Sequence, residues 1–424
     1  MKAAWIVTSG EPLPTDPGGA RLLRHGIVAA MLVERGWSVV WWTSNFDHTA
    51  KRGRQSGAAP VVYRVGPNYR IVLLPSAGYR RNVSLARVLD HRQVADAFTG
   101  AAPGEPAPDV VLCSYPTIEL AAAATRFGQR HGVPVLLDVR DLWPDILGEV
   151  LPGPLKWLAR PILWPYGRQG RRALCAATAL TGITEPIVDW ACRKAGRQRR
   201  STERAFPLAC TPPERPDVPA VRQAAQRWLE RGVGADRFVV SFFGAMGEQF
   251  DFDTVLAAAQ LLEHTYPQVL FVLCGQGREL ERLQSHARTH ANVMAPGWQG
   301  RADLHSLMYR SAAGLAPYFN EHSFTLSVPN KVIEYCSGGL PVLSSLRGET
   351  ERLLASNDCG LTYAEQDGAA LAACIRLLFD DASLRGQLGR NALRLFNERF
   401  TAERVYGELI EELGRLAAAA KAGA

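Results

Sequence analysis

The chain predicts an α/β fold of two doubly wound, Rossmann-like domains, and three observations carry that expectation. Strand-like apolar runs alternate with helical periods along the chain, the pattern of parallel sheets covered by helices. Each half opens with the same unit: a short apolar strand, a glycine-bearing loop, an amphipathic helix and a second strand. The 424 residues exceed what one hydrophobic core ordinarily sustains, about 250 to 300 residues, so two domains are expected.

In the first half Ala3 to Val7 reads as a strand and Ser9 to Gly19 as a Gly- and Pro-rich loop. Ala20 to Arg35 reads as a helix, with Leu22, Leu23, Ile27, Val28, Met31 and Leu32 at helical spacing. Gly36 stops it, and Ser38 to Thr43 is the next strand. Val110 to Cys113, Ile118 to His131 and Val133 to Val139 continue as strand, helix and strand. In the second half Phe238 to Phe243 is a strand, Gly244 to Gln249 a loop, Thr254 to Leu262 a helix and Val269 to Cys274 a strand; a helix ending near Gly338 precedes a strand at Leu340 to Ser344. Ala205 to Pro219 holds prolines at 207, 212, 213, 216 and 219 without an apolar period and reads as the linker. One long helix over Ala382 to Ala418 is expected to close the chain. Ligands of such sheets bind beyond the carboxyl ends of the strands, so the loops after the first strand of each half are expected to line a cleft between the domains.

Composition narrows the function classes. With 47% hydrophobic and 21% charged residues the chain lies in the soluble globular band, which excludes disorder, collagen and coiled coil as whole-chain readings. Lys and Arg number 48 against 41 Asp and Glu, and the resulting +7 is too dilute to mark a nucleic-acid binder unless it clusters. No nucleic-acid partner is expected. The eight cysteines show no CxxC and no metal-type spacing, so they read as buried free thiols of a reducing cytosol, with no metal site. The short apolar start and the lack of an 18-residue apolar run point to a cytoplasmic chain, soluble or peripheral on a membrane.

Among the motifs, Gly244-Ala-Met-Gly247 is not GxGxxG, and Gly275-Gln-Gly277 is followed by Leu280 where a third glycine is required, which disfavours a dehydrogenase. Such loops still fit an anion held by backbone N–H groups, or a plain tight turn. Asp251-Phe-Asp253 has a metal-binding spelling but stands at a helix start, where capping is the favoured role. In Ser327-Val-Pro-Asn-Lys-Val-Ile-Glu-Tyr-Cys-Ser-Gly-Gly339, Ser327 is expected to cap, Pro329 to sit in the first turn and Gly338-Gly339 to end the helix. Asn330, Lys331 and Glu334 share one face near its positive end. Spacing alone favours an ordinary solvent-facing Lys/Glu pair. The sharper alternative is Lys331 on a diphosphate and Glu334 accepting from a ribose diol.

The segment Pro329 to Val342 resembles the donor-site region of the glycosyltransferase 4 family. The likeness extends through Gly18-Gly-Ala-Arg21, Gly36-Trp-Ser-Val39, Leu74-Pro-Ser-Ala-Gly-Tyr-Arg-Arg-Asn82, Asp138-Val-Arg-Asp-Leu-Trp-Pro144, Phe243-Gly-Ala-Met-Gly-Glu-Gln249, Leu273-Cys-Gly-Gln-Gly277 and Gly297-Trp298. The Arg-Asp-Leu-Trp-Pro piece looks most like the subgroup that builds bacterial O-antigen and capsule polysaccharides, N-acetylfucosamine transferases included. The resemblance implies a GT-B fold: residues 1–205 as acceptor domain, with a helix at 395–424 packing back on it, and 206–394 as donor domain. It also implies retaining transfer of a hexosyl or N-acetylhexosaminyl group without metal or cofactor. The nucleotide sugar is a co-substrate, a UDP-sugar before a GDP-sugar.

Glu334 matches the second glutamate of the family's two-glutamate motif, while Leu326 stands where the first belongs, leaving Ser327, Asn330 or Glu321 as substitutes. The family's basic pair after the first donor-domain strand is also missing, so Lys331 and then Arg278 become the cations for the diphosphate. Donor contacts are thus expected from Gly244, Gly247, Gln249, Gly275, Gly277, Arg278, Ser327, Asn330, Lys331 and Glu334. Lys331, Glu334 and Asp141 are the catalytic candidates, and Gly18, Gly19, Arg21, Arg24 and His25 the acceptor candidates, with exposed helix surface as the plain alternative for the last three.

The charge does cluster. Lys156, Arg160, Arg168, Arg171 and Arg172 alternate with aromatics that include Trp157 and Trp164, a composition suited to an anionic lipid surface and a lipid-linked saccharide acceptor, or to a solvated loop. Arg193 to Arg200 is a further positive stretch. Two other classes stay open: a non-hydrolysing sugar-nucleotide 2-epimerase of the same fold, and a catalytically silent binding subunit, which Leu326 motivates.

Overall fold

The computed structural model describes residues 1–17, 21–55, 57–82, 84–146 and 153–423, the side chains of 153–162 excepted. Residues 1–207 with 402–424 form one compact unit and residues 208–401 the other. The chain passes from the first to the second at Pro207, inside the proline-rich stretch.

The first unit is built on β1 (Ala3–Val7), β2 (Ser38–Ser44), a small ribbon of β3 (Phe46–Asp47) and β4 (Arg52–Gly53), then β5 (Val61–Gly66), β6 (Tyr69–Leu74), β7 (Val110–Tyr115), β8 (Val135–Val139) and β9 (Ala179–Gly182). Its main sheet runs β5-β6-β2-β1-β7-β8-β9. Every residue of β7 and β8 is buried, as expected of strands covered on both faces. Helix Ile118–His131 ends on Gly132 in the left-handed region, where a side chain would be strained. Helix Arg24–Glu34 begins four residues later than the expected start at Ala20, because Leu23 is extended and takes the cap position. One edge departs from the all-parallel expectation: β5 pairs antiparallel with β6 around Gly66-Pro67-Asn68. The alternating burial of β5 marks it as a one-sided edge strand, a weaker signal than the continuous apolar runs.

The second unit is built on β10 (Phe238–Ala245), β11 (Val269–Gln276), β12 (Val293–Gly297), β13 (Ser311–Ala316), β14 (Val342–Ser344) and β15 (Gly360–Thr362). These six strands are ordered β12-β11-β10-β13-β14-β15 and all pair in parallel. The order reverses between β10 and β13, and in the first unit between β1 and β7, the points where such sheets open a crevice.

The expected single C-terminal helix is two. Ala382–Arg399 belongs to the second unit and Ala402–Ala422 to the first. Phe400 leaves the helical region at φ −127°, ψ 11°, its ring is buried, and Thr401 bridges to Cys210. The break therefore follows from tertiary anchoring that no Gly or Pro announces. Helix Ala402–Ala422 lies on helix Arg24–Glu34 and on β7. All eight cysteines are free thiols, but Cys175 is exposed, contrary to the expectation of burial. Among the described residues no helix is long and apolar enough to cross a membrane.

Candidate active site

In the second unit the switch-point loops after β10 and β13 are stitched together. Phe319 N–H donates to Gln249 O at 3.0 Å and Asp251 N–H to Pro317 O at 2.7 Å, with a bridge between Phe250 and Tyr318. Lys331, on helix Asn330–Ser337, donates from Nζ to Phe243 O at 2.7 Å, where β10 ends. Its ammonium lies 4.4 Å from the Phe242 ring centroid and 5.0 Å from that of Phe250, a cation–π arrangement in a largely desolvated place. Lys331 is only 8% exposed, so the solvent-facing Lys/Glu pair does not describe it.

Gly244 makes this position possible. A Cβ there would come within 2.1 Å of Lys331 Nζ, and its φ of +136° is one that side chains avoid. Gly275 lies alongside, and a Cβ on it would collide with Gly244 O at 1.9 Å. A Cβ on Gly277 would meet Met246 O at 2.3 Å, and one on Gly247 the Gln249 amide oxygen, also at 2.3 Å. Of the loop amides expected to hold an anion, Met246 N–H is already bonded to Gln276 O at 2.8 Å.

Helix Asn330–Ser337 is seated by Tyr335, whose hydroxyl donates to Leu315 O at 2.9 Å and whose ring occupies the space a Gly314 side chain would need. Pro329 itself takes the cap position, and Ser327 Oγ donates to Phe324 O at 3.3 Å, so Ser327 does not cap this helix and Pro329 is not in its first turn. Asn330 is exposed and Glu334 half-buried. Leu326 closes the short helix His322–Thr325. Arg278, the second candidate cation, is exposed and ion-paired with Glu248. Asp251 caps helix Phe252–Leu262 by accepting from Thr254 N–H at 3.0 Å, and Asp253 pairs with Arg282, so both carboxylates of the DxD spelling are engaged.

The first unit corrects two acceptor candidates. Arg24 is buried, bonded bidentately to Asp138 at 2.7 and 2.9 Å and to the carbonyls of Phe206 and Pro207 at 2.9 Å each. His25 is buried too, its N–H and Nδ1 on Glu11 at 3.0 and 2.8 Å, with Arg140 on the same carboxylate. Burial opposes ionisation of Glu11 and Asp138, yet His25 and Arg140 hold Glu11, and Arg24 above all holds Asp138, below the usual carboxylate range. These groups form a structural core of charge and are not open to an acceptor. Asp138 inside Val-Leu-Leu-Asp-Val139 was the available signal, since a carboxylate in a buried strand demands a cationic partner.

Arg21 is exposed, while Gly18 and Gly19 lie outside the described residues. Asp141 accepts from Leu142 N–H at 2.8 Å, and burial pushes its carboxyl up against that bond. Two half-buried cations that sequence reasoning passed over, Lys51 and Arg87, flank the Tyr79 ring at 4.7 and 5.4 Å.

Residues 237–381 match the family described as glycosyl transferases group 1. This region is similar to a glycosyltransferase group 1 domain. It contains the Lys331 arrangement, the glycine pair of β10 and β11, and Glu334. Glycogen synthase of Mycobacterium tuberculosis is 27% identical over 148 residues, a match that spans about a third of each chain, 34% in both cases. Over nearly the whole chain the fold is shared with solved structures. Sucrose-phosphate synthase from Thermosynechococcus elongatus superposes with a TM-score of 0.74 at 17% identity, covering 99% of this chain and 100% of that one. HepE of Anabaena, solved with UDP and glucose, gives 0.65 at 15%, covering 98% and 100%. WaaG, a glycosyltransferase involved in lipopolysaccharide biosynthesis, gives 0.63 at 16%, covering 96% and 98%. At these identities the likeness carries the fold, two Rossmann-like domains of GT-B type.

The basic segments of the first unit divide in two. Arg168, Arg171 and Arg172 are exposed on helix Gly153–Ala176, with the Arg168 guanidinium 5.3 Å from the ring of Trp164, itself 62% exposed. The side chains of Lys156, Trp157 and Arg160 lie outside the described residues. The run from Arg193 to Arg200 is largely neutralised, since Lys194 pairs with Asp145, Arg199 with Glu185 and Asp189, and Arg197 and Arg200 with Glu203. It is not a further positive patch.

Proposed function

We propose that the chain is a retaining glycosyltransferase that moves a sugar from a nucleotide sugar, a UDP-sugar before a GDP-sugar, to a saccharide acceptor. The observation that carries this reading is the buried Lys331 ammonium, held on Phe243 O at the carboxyl end of β10 inside the region similar to a glycosyltransferase group 1 domain. A desolvated, pre-positioned cation beside a helix N-terminus stabilises charge on a departing diphosphate with little reorganisation. Glu334, one turn along the same helix, is suited to accept hydrogen bonds from the donor ribose. The binding of UDP and UDP-glucose by HepE supports the donor class.

In the transfer itself, the bond from the anomeric carbon to the phosphate oxygen breaks, and a bond to the acceptor oxygen forms on the same face. The acceptor proton passes to the departing phosphate oxygen. The protein's part is to hold both reactants in line and to stabilise the diphosphate. This route assigns no metal ion, since Lys331 supplies the positive charge and Asp251 and Asp253 are engaged elsewhere.

For the acceptor, the reading is a lipid-linked saccharide of bacterial surface-polysaccharide synthesis, with Trp164, Arg168, Arg171 and Arg172 resting on the anionic inner face of the cytoplasmic membrane. The test is incubation with radiolabelled UDP- and GDP-sugars and bacterial lipid extract. Label entering the lipid fraction with release of nucleoside diphosphate is expected. Conversion of the sugar nucleotide to an epimer without acceptor, or nucleotide binding without diphosphate release from any extract, would overturn the reading.

A further inference from the structure

The first unit carries a second concentration of polar side chains, beyond the carboxyl ends of β2, β6 and β8. Lys51 and Arg87 both approach the Tyr79 ring, and the Arg87 guanidinium lies 4.7 Å from the Trp143 ring as well. His48 Nδ1 shares a 2.7 Å hydrogen bond with the Tyr79 hydroxyl, Lys51 Nζ stands 3.3 Å from the same nitrogen, and Arg87 Nε reaches His91 Nε2 at 3.4 Å. Tyr79, His91 and Trp143 are buried, while His48, Lys51 and Arg87 are half-buried beside a small recess. Lys51 also sits at φ +54°, a left-handed backbone that a lysine seldom adopts.

The nearby carboxyl groups do not neutralise this cluster. Asp90 is bonded to Ser76 Oγ and to Gly78 N–H, and Asp47 to the N–H groups of Thr49 and Ala50 at 2.9 Å each. Burial pushes the Glu119 carboxyl up to about 7 and raises that of Asp141. Among the described residues neither Lys51 nor Arg87 makes an ion pair with a carboxylate. Their short contacts are neutral, Lys51 Nζ donating to Asn82 Oδ1 at 2.6 Å and Arg87 Nη1 to Asn82 O at 2.8 Å, and the cations press on one another. Burial first, then Lys51 and Arg87, push His48 down to about 4, and burial with Arg87 lowers Lys51 and takes His91 to about 3.

We propose that Lys51, Arg87 and His48 bind a phosphate-type anion carried by the acceptor. Arg87 is held in place by its contacts with Tyr79 and Trp143, by Nη1 on Asn82 O at 2.8 Å and by Nε on His91, so its guanidinium is pre-organised to offer its remaining N–H groups to phosphate oxygens. Lys51 adds a second charge, and His48 becomes a donor once an anion offsets its cationic neighbours. This assignment rests on the reading of the first unit as the acceptor-binding part. A sugar phosphate and the diphosphate of a lipid-linked saccharide offer the same chemistry.

The test uses the full chain saturated with UDP, so that inorganic phosphate cannot report on the donor site. Calorimetry with inorganic phosphate should give binding, and the NMR titration of His48 should move upward by about one pH unit or more, in line with an anion beside a cation. Lys51→Met and Arg87→Met should each weaken phosphate binding at least tenfold while UDP affinity stays unchanged, which also verifies folding. Glucose 6-phosphate and vesicles carrying a polyprenyl-diphosphate saccharide then separate the two sources: whichever binds more tightly, with loss in both variants, identifies the ligand. No His48 shift, or phosphate affinity indifferent to both substitutions, overturns the site. A chain that binds phosphate this way yet transfers no sugar overturns the transferase reading alone. Equal transfer to neutral and phosphorylated acceptors by the parent and both variants overturns the anion site alone.

Discussion

Lys331 and Gly244 act as one device at the scale of the residue. The ammonium can rest on Phe243 O only because position 244 has no side chain. Gly244→Ala should displace the lysine and lower sugar-transfer turnover at least tenfold with the circular-dichroism spectrum retained; turnover within twofold of the parent would refute the coupling. Lys331→Met should lower kcat more than donor affinity, because a charge on the departing diphosphate matters most in the transition state. Equal losses in both would remove that role. Glu334→Ala should weaken donor binding by about 1.5 to 3 kcal/mol if it carries charge-assisted hydrogen bonds, and unchanged affinity by calorimetry would take it out of the site.

Elements carry the site by their seating. Helix Asn330–Ser337 was legible from its apolar spacing and the Gly338-Gly339 stop, and it ends where expected. Its first turn begins one residue later than the spacing predicts, since whether Pro329 caps or enters a helix depends on the preceding backbone, here the turn that Ser327 bonds to Phe324. Asp251 was legible as a cap, but its reach was not. It also accepts from Thr254 Oγ1 at 2.6 Å and from Gln366 N–H at 3.2 Å, tying helix Phe252–Leu262 to the loop after β15. Asp251→Ala should therefore cost about 1 to 2 kcal/mol, the upper range for a cap, read as a lower midpoint in urea. A change below about 0.5 kcal/mol would mean the cap is dispensable.

At the scale of the whole molecule, the charge core of the first unit joins distant parts of the sequence. Arg24 binds Asp138 on β8 and the carbonyls of Phe206 and Pro207, with the ring of Tyr406 from the returning C-terminal helix 5.3 Å away. Arg24→Ala strips the buried Asp138 carboxylate of its bidentate cation, leaving it Thr181 Oγ1 at 3.1 Å and His25 Nε2 at 3.7 Å, and an expected loss of about 3 kcal/mol should appear as faster hydrogen exchange in β1 and β8. Unaltered exchange there would contradict the role. Glu11 and Asp138 have folded values below their unfolded ones, near 4 for carboxyl groups, so their contribution is complete above about pH 4.5 and is lost as pH falls from there toward the folded values. Urea unfolding between pH 5 and 3 should show that loss, reduced in Arg24→Ala.

The sequence by itself determined the two-part α/β plan, the strands β1, β2, β7, β8, β10, β11 and β14, and the helix that carries Lys331 and Glu334. Those features rest on local apolar period and on glycine stops, which neighbouring residues write directly. Only the tertiary structure decided that Lys331 is buried on Phe243 O, that Arg24 and His25 serve the core, that the last helix is broken at Phe400, and that Lys51 and Arg87 meet at Tyr79. Each of these depends on groups far apart in the chain, and a polar side chain's partner is set by packing and desolvation, which residue spacing does not encode.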